Sequence, residues 1–517
     1  MRSARFWLTW TILSCCVSSV WGQEALRASL APIIDQPQYK HAHWGLLIVD
    51  RETGDIVYEQ NADKLFVPAS TTKLYSVACA LDAYGAGYCF ETPIVRRGDV
   101  NEKGELAGDL ILVARGDLSF GGRANAQGEI EFTNADHTYA DGGSDTELTS
   151  GDPLAGLNDL ARQVAQAGIK HVQGNVLIDD RMFDKAEGSG SGPSQLTPIM
   201  VNDNVVDFEI EPTEPGEPAK ITWRPQTALF QVENKVQTVA KGTTLETSLV
   251  DLGHGRLVVH GNIPAGHKRV VRVYEVSKPA DFARALLIEA LARAGVKVDA
   301  ALAGAELTPE LPASSEVEKL PRMAQHKSPP LGQSARLILK VSHNLHASTL
   351  PLLVAAKHGE RTLTDGLKRQ HEFLNRIGVD VDTISFGGGA GGARADYVTP
   401  RATVQLLRHM ATRGDFETYH ATLPSLGVDG TLSKAVDATS PARGKAQAKT
   451  GTLYWHNAMN SRMLLTSKAL AGYLTTKHNR ELAFAAFVNN VHLGQGIDAK
   501  SIGRDLGRIC EVVYEQE

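Results

Sequence analysis

Pro68-Ala69-Ser70-Thr71-Thr72-Lys73-Leu74 holds the chain's one Ser-x-x-Lys, and its reading decides what the rest must be. A serine hydroxyl at its free pKa is a poor attacker and needs a base within hydrogen-bond reach. Residues three apart on a helix share a face. The spacing therefore predicts a helix from near Ser70 through Leu81, with the Lys73 amine beside the Ser70 hydroxyl. Pro68 just before it fits the usual punctuation of a helix start. Upstream, Trp44–Val49 reads as a buried strand, Glu52-Thr53-Gly54 as a turn and Ile56–Tyr58 as the returning strand.

Working outward, the chain carries one Ser342-His343-Asn344 and one Lys449-Thr450-Gly451. A four-residue pattern with two fixed positions arises by chance about once in a chain this size. Three such elements in this order are far more specific, and the trio marks penicillin-binding proteins and serine β-lactamases. Ser342 lies 272 positions after Ser70. A compact β-lactamase-like domain has only several tens of residues there, so the middle of the chain is an insertion. Its texture agrees: from about Arg96 to His267 short strands alternate with Gly, Asp and Pro turns. Helical texture returns at Pro279, where Phe282, Leu286 and Ala290 share one face with Leu287 and Leu291 beside it. Ala313 to Pro330 reads as a polar connection. The last strands fall at Ala471–Leu474 and Leu482–Val488, and a terminal helix runs from about Asp498 to Tyr514.

Length and composition frame this reading. A chain of 517 residues suggests about three domains. With 42% hydrophobic and 22% charged residues a real core is available. The net charge of -6 and the lack of a basic run argue against nucleic acid or an anionic membrane surface as partner. Arg2 and Arg5 precede an apolar stretch from Phe6 to Val20, which reads as a secretory signal cut after Gly22. A retained anchor and lipidation at Cys15 are the competing readings. No other segment is fit to span a membrane. Of the cysteines left after cleavage, Cys79, Cys89 and Cys510 read as three buried thiols, or as one bridge and one free thiol. No metal spacing is present, and no cofactor is expected. His343 and His346, one helical turn apart without a third ligand, read as solvated or hydrogen-bonded.

The chain resembles the class C low-molecular-mass penicillin-binding proteins, the secreted D-alanyl-D-alanine carboxypeptidase/endopeptidases. The segments that carry the likeness are Pro68–Leu74, Gly108–Leu118, Gly174–Phe183, Val201–Asp207, Lys340–Asn344, Leu423–Leu432 and Ala448–Leu453. The resemblance implies an α/β multi-domain fold. A β-lactamase/transpeptidase-like domain, an antiparallel sheet with flanking helices, is interrupted by β-rich insertion domains. The expected division is a signal at 1–22, the transpeptidase-like domain at 23–95 and 313–517, an insertion domain at 96–185 and 269–312, and a second insertion nested at 186–268.

The resemblance also implies roles. Ser70 attacks the penultimate D-Ala carbonyl and Lys73 takes its proton. Ser342 relays a proton to the departing D-Ala. Asn344 donates to the acyl chain or holds Lys73. Lys449 and Thr450 hold the terminal carboxylate in the Lys449-Thr450-Gly451 strand, and the N–H groups of Ser70 and Thr452 form the oxyanion hole. The expected partners are peptidoglycan stem peptides, with β-lactams as covalent inhibitors, in the periplasm or cell envelope. Oligomeric state is left open. A catalytically weak wall-peptide binder and a β-lactamase or esterase of the same fold are the rival readings. Three departures bear on them. His343 stands where the family commonly has Asp. Gly387-Gly388-Gly389-Ala390-Gly391-Gly392-Ala393-Arg394 replaces a more polar Asp-Gly-Ser-Gly-Leu-Ser-Arg. Tyr454–Leu465 reads as an insertion at the rim of the site.

Overall fold

The structure is a computed structural model that describes residues 23–136, 139, 145–302, 310–494 and 496–517. The signal read at 1–22 lies outside the described residues. A helix at 23–34 (α1) leads into β1 (His43–Asp50) and β2 (Ile56–Gln60). A 3-10 turn at Ala69–Thr71 then feeds α2 (Thr72–Tyr84). The regular helix thus begins two residues later than the spacing predicts. The physical reason is the entry: Ala69 adopts a left-handed φ of 47°, so the chain turns tightly through Ser70 before the helix sets in.

The middle of the chain supplies β3 (Glu91–Val100), β4 (Glu105–Val113), α3 (Ala155–Gln166), β5 (His171–Val172), β6 (Val176–Asp179), β7 (Val205–Glu211) and β8 (Lys220–Arg224). It continues through β9 (Gln231–Val239), β10 (Glu246–Asp251), β11 (Arg256–Pro264), β12 (Val270–Glu275), α4 (Pro279–Arg293), β13 (Lys297–Val298), α5 (Ser314–Val317) and β14 (Arg322–Lys327). The chain then returns through α6 (Leu331–Val341), α7 (Asn344–Lys357), α8 (Leu363–Arg376), the short pair β15 (Ile384–Ser385) and β16 (Tyr397–Val398), α9 (Pro400–Ala411) and α10 (Phe416–Thr422). It ends with β17 (Ala446–Asn457), β18 (Arg462–Thr475), β19 (Glu481–Asn489), β20 (Val491–His492) and α11 (Ala499–Gln516).

Both ends of the chain build one antiparallel sheet in the order β17-β18-β19-β1-β2, with β20 on β18. The register of β1 on β19 runs from His43 opposite Asn489 to Asp50 opposite Leu482. Strand side chains alternate between faces. Leu47, Val49, Ala485 and Phe487 enter a core shared with α2 and α6 to α9. Leu46, Ile48, Phe484 and Ala486 enter a second core with α1 and α11. Both faces are covered, which is why Trp44–Val49 is apolar throughout instead of alternating.

The middle segment makes its own sheets: β13-β5-β4-β3-β14 with β6 on β4, then β12-β7-β8 and β10-β11-β9. Their core takes Phe282, Leu286, Leu287 and Ala290 from α4, the face read from the sequence, against Leu157, Leu160 and Val164 of α3. The stretch read as a polar connection contains α5 and the strand β14, which pairs with β3. Only Ala324 of that edge strand is buried, so its sequence carries no apolar alternation. Cys79, Cys89 and Cys510 are free thiols, with Cys79 and Cys510 buried and Cys89 half-buried. Among the described residues no helix is long and apolar enough to cross a membrane.

Candidate active site

Ser70 sits on the 3-10 turn at the head of α2, half-buried, and Lys73 lies one turn on with no exposed surface. The Lys73 ammonium group has three acceptors, each at 2.8 Å: Ser70 Oγ, Asn344 Oδ1 and the Ala390 carbonyl. None is a carboxylate. Burial disfavours the charged form, and it pushes the Lys73 pKa down to about 7, with the charge of Asp396 opposing the shift. An ordinary lysine at neutral pH is almost wholly protonated; burial brings the free amine of Lys73 within reach of neutral pH.

The α6–α7 junction brings in the second motif. Ser342 ends α6 in a left-handed conformation, φ 68°, and Asn344 opens α7. Such a sharp reversal turns Ser342 and Asn344 toward Ser70 and Lys73. His343 caps α7: its side chain accepts the His346 N–H at 3.4 Å, a task usually given to Ser, Thr, Asp or Asn. Lys340 anchors the end of α6 through both oxygens of Asp429, at 2.8 and 2.6 Å.

The third motif lies on β17, the edge strand of the sheet. Lys449, fully buried, donates to Ser342 Oγ at 2.9 Å and to its neighbour's carbonyl, Thr450 O, at 2.8 Å. Its pKa is held well below the usual lysine range by burial and by the Lys73 and Lys468 charges. Gly451 permits the approach of this strand to the nucleophile turn, since a Cβ there would sit 2.6 Å from the Pro68 carbonyl. Ala448 N donates off the sheet edge to Pro424 O at 2.9 Å. Strand alternation then turns the Thr450 and Thr452 N–H groups off the same edge. Thr450 Oγ1 hydrogen-bonds Thr431 Oγ1 at 2.8 Å.

The glycine-rich segment was the main departure in the sequence, and its backbone carries the explanation. Gly389 O accepts from Ser76 Oγ at 2.9 Å, and Ala390 O accepts from Lys73. A Cβ at Gly391, where φ is 87°, would meet the Ala69 carbonyl at 1.9 Å. At Gly389 it would meet the Ala347 carbonyl at 2.1 Å. The loop is thus wedged between α7 and the nucleophile turn. Asp396, fully buried, closes it by accepting the N–H groups of Gly387 at 2.7 Å and Ala393 at 2.8 Å. Burial pushes Asp396 up to about 6. Asp396 was not singled out from the sequence; an acidic residue just after a glycine run was the available signal.

A second buried cluster backs the junction. Asp203 lies on a turn in which Asn202, Asp203 and Asn204 all have positive φ, 49°, 53° and 56°. Its carboxylate accepts from His346 Nε2 at 2.8 Å, from His343 Nε2 at 3.2 Å and from Arg123 at 2.9 Å. Arg123 also binds Asp136 at 2.8 Å. Of the two readings of the histidines, solvated or hydrogen-bonded, the second holds: both are fully buried and hydrogen-bonded. The third group, Asp203, is remote in sequence, which hid it. Asp203, His343 and His346 have the spacing of a metal site, but the Arg123 guanidinium already holds Asp203 Oδ2. Burial pushes His343 down to about 3, so it is neutral and donates through Nε2.

The segment read as an insertion, Tyr454–Leu465, is the outer part of the β17–β18 hairpin. Tyr454, Trp455 and Met459 are exposed on it, and the guanidinium of Arg394, from the glycine-rich segment, lies over the Trp455 ring, 5.4 Å from its centre.

Residues 26–506 match the model of the D-Ala-D-Ala carboxypeptidase 3 (S13) family. The chain is 28% identical over 494 residues to a D-alanyl-D-alanine carboxypeptidase from Actinomadura, covering 91% of this chain and 81% of that one. It is 24% identical to D-alanyl-D-alanine carboxypeptidase DacB from Haemophilus influenzae, over 87% of this chain and 86% of that one. The crystal structure of penicillin binding protein 4 (dacB) from Haemophilus influenzae shares its fold, with a TM-score of 0.69 at 20% identity over 94% of this chain and 99% of that one. With a family match that spans all three motifs and both ends of the catalytic sheet, the chain belongs to the D-Ala-D-Ala carboxypeptidase 3 (S13) family.

Proposed function

We propose that this D-Ala-D-Ala carboxypeptidase works through a Ser70 acyl-enzyme on peptidoglycan stem peptides. The observation that carries the reading is the Lys73 amine, 2.8 Å from Ser70 Oγ, buried and bonded to no carboxylate. Lys73 Nζ takes the hydroxyl proton as Ser70 Oγ bonds to the penultimate D-Ala carbonyl carbon. The oxyanion accepts from the N–H groups of Ser70 and Thr452. Collapse breaks the C–N bond, and the terminal D-Ala nitrogen takes a proton through Ser342, whose oxygen Lys449 already holds. Water then hydrolyses the ester with Lys73 as base. Lys449 and Thr450 receive the terminal carboxylate, which supplies the counter-charge that buried Lys449 lacks. Gly451 lets the strand come close enough to do so. Asn344 holds Lys73 and is available to the acyl-chain amide.

A β-lactam mimics the same carbonyl and stops at the ester. The Haemophilus influenzae relative is described in complex with a β-lactam. Export to the periplasm or cell envelope, where such wall peptides lie, belongs to this proposal and rests on Arg2, Arg5 and the apolar stretch after them. So does the division into a transpeptidase-like body at 23–95 and 313–517 and inserted domains between; the pairing of Arg322–Lys327 with β3 favours drawing the later boundary after that strand. The test is intact mass after incubation with penicillin, together with D-Ala release from a defined pentapeptide. The wild type is expected to gain one drug mass and to release D-Ala, and Ser70→Ala to do neither. An adduct on Ser70→Ala would overturn the assignment.

A further inference from the structure

Lys468 is a cation beside the active site that the chemistry above does not use. It stands on β18 directly opposite Thr452 of β17 and is half-buried. Side chains opposite one another on paired strands share a face. The Lys468 ammonium donates to Thr452 Oγ1 at 2.8 Å. It lines a cavity with Lys434, Lys500 and Arg504, and no acidic side chain lines that cavity. Asp498, the acid whose charge reaches it, caps α11 by accepting the Ser501 N–H at 2.7 Å. Burial pushes the Lys468 pKa down to about 8. α11 is shaped to accept the side chain: a Cβ at Gly503 would sit 3.1 Å from Lys468 Cε.

An ammonium group only donates, so Thr452 Oγ1 is the acceptor and the hydroxyl's own proton points away from Lys468. In the proposed function, on which this inference rests, the N–H of the same threonine receives the oxyanion. Donors and dipoles fixed in advance where negative charge develops lower the barrier most, because nothing has to reorient during the reaction. A cation 2.8 Å from the hydroxyl oxygen both fixes and polarises that dipole. We propose that Lys468 is a positioning residue for acylation. It acts through the Thr452 hydroxyl, sets Thr452 for the developing oxyanion, and does not itself bind the substrate.

The test is a double-mutant cycle on penicillin acylation, with the dissociation constant of the first complex and the acylation rate constant read separately. The rate constant is taken per folded molecule, so a partial loss of folded protein does not enter it. Lys468→Met is expected to slow acylation about tenfold, less than the loss of a direct oxyanion donor, and to leave the dissociation constant as in the wild type. Lys468→Arg is expected to recover most of the rate. Thr452→Val keeps the N–H and loses the hydroxyl; in that background Lys468→Met is expected to cost no more than about a further twofold. A loss that falls on the dissociation constant would make Lys468 a ligand of the drug. An equal loss with and without the Thr452 hydroxyl would mean that Lys468 does not act through it, and Lys468→Arg as slow as Lys468→Met would mean that its charge is not what matters. Each of these overturns the positioning role and leaves the proposed function standing. A wild type that penicillin never acylates would overturn the proposed function and this inference together.

Discussion

Two groups of buried charge meet back to back at the α6–α7 junction, and they are balanced in opposite ways. On the Ser342 and Asn344 side stand Lys73 and Lys449, fully buried and hydrogen-bonded to hydroxyl, amide and carbonyl oxygens only. On the His343 and His346 side stands Asp203, met by a guanidinium and two imidazoles. Burying a charge is costly unless it is paired. The Asp203 cluster meets that demand within the protein and so fixes the junction in place. The lysine cluster leaves it unmet: burial pushes Lys73 down to about 7 and holds Lys449 well below the usual lysine range, which suits the proposed roles of base and carboxylate anchor. The same three-residue turn thus separates scaffold from chemistry.

Removing the lysine side should hurt function without hurting the fold. Lys73→Met is expected to slow penicillin acylation by roughly 10²–10⁴-fold, the usual weight of a general base. Its melting temperature should hold or rise, because the variant no longer buries an ammonium group. A large fall in melting temperature would mean that Lys73 is structural and that the contrast fails.

The Asp203 side should behave in reverse. Asp203→Ala leaves Arg123 facing Asp136 alone and strips both imidazoles of their acceptor, so a loss of about 3–5 kcal/mol in stability is expected by denaturant unfolding. Whatever folds should keep Lys73 near its present pKa. Acid should act on this side too. His343 binds its proton near 6.5 when unfolded but only near 3 when folded. The unfolded state therefore takes up more protons, and stability is expected to fall as pH drops from about 6.5 toward 3. Asp203, held well below its ordinary value, adds to that loss at the acid end, as pH falls below about 3.8. A flat stability profile across this range would break the account.

This division was only half legible in the sequence. Lys73, Ser342, Asn344 and Lys449 were readable because they sit in short motifs whose spacing is local, and the 272-position gap was enough to infer an insertion. The apolar runs at Trp44–Val49 and Leu482–Val488 gave the central strands, though not their pairing across the whole chain. The Asp203 cluster was hidden, since its members lie at 123, 136, 203, 343 and 346 and only folding collects them. The glycine-rich segment misled for a related reason. It lost polar side chains relative to the family pattern, yet its contribution to the site is the Ala390 and Gly389 carbonyls and the absence of Cβ atoms against Ala69 and Ala347. The edge strand β14 was missed because an edge exposed on most of its length carries no alternation.

Within the lysine cluster the two amines should separate by substrate. Lys449→Ala is expected to cost about 1.5–3 kcal/mol in kcat/KM for peptides with a free terminal carboxylate, the weight of one charge-assisted hydrogen bond. The corresponding methyl esters should lose much less. Equal losses on acid and ester would remove Lys449 from the role of carboxylate anchor and leave it as a partner of Ser342 alone.

The smallest and most discriminating effect is expected at Asp396, whose charge acts on Lys73 in the lysine cluster. Its charge favours protonated Lys73, and Lys73 holds the Asp396 proton off in return. With Lys73 as the proposed base, acylation needs the free amine, so its rate should rise with pH through about 7. In Asp396→Asn the opposing charge is gone, the Lys73 pKa falls further, and the acid limb of the acylation profile should move to lower pH. Activity at pH 6 would then rise relative to activity at pH 8. The same substitution also removes an acceptor from one of the Gly387 and Ala393 N–H groups, which loosens the loop that presents Ala390 O to Lys73. If that structural effect dominated, the rate would fall by a similar factor at every pH and the limb would stay where it is. The direction of the limb, measured with a small β-lactam that needs little beyond Ser70 and Lys73, therefore decides whether Asp396 tunes the base or only holds its loop.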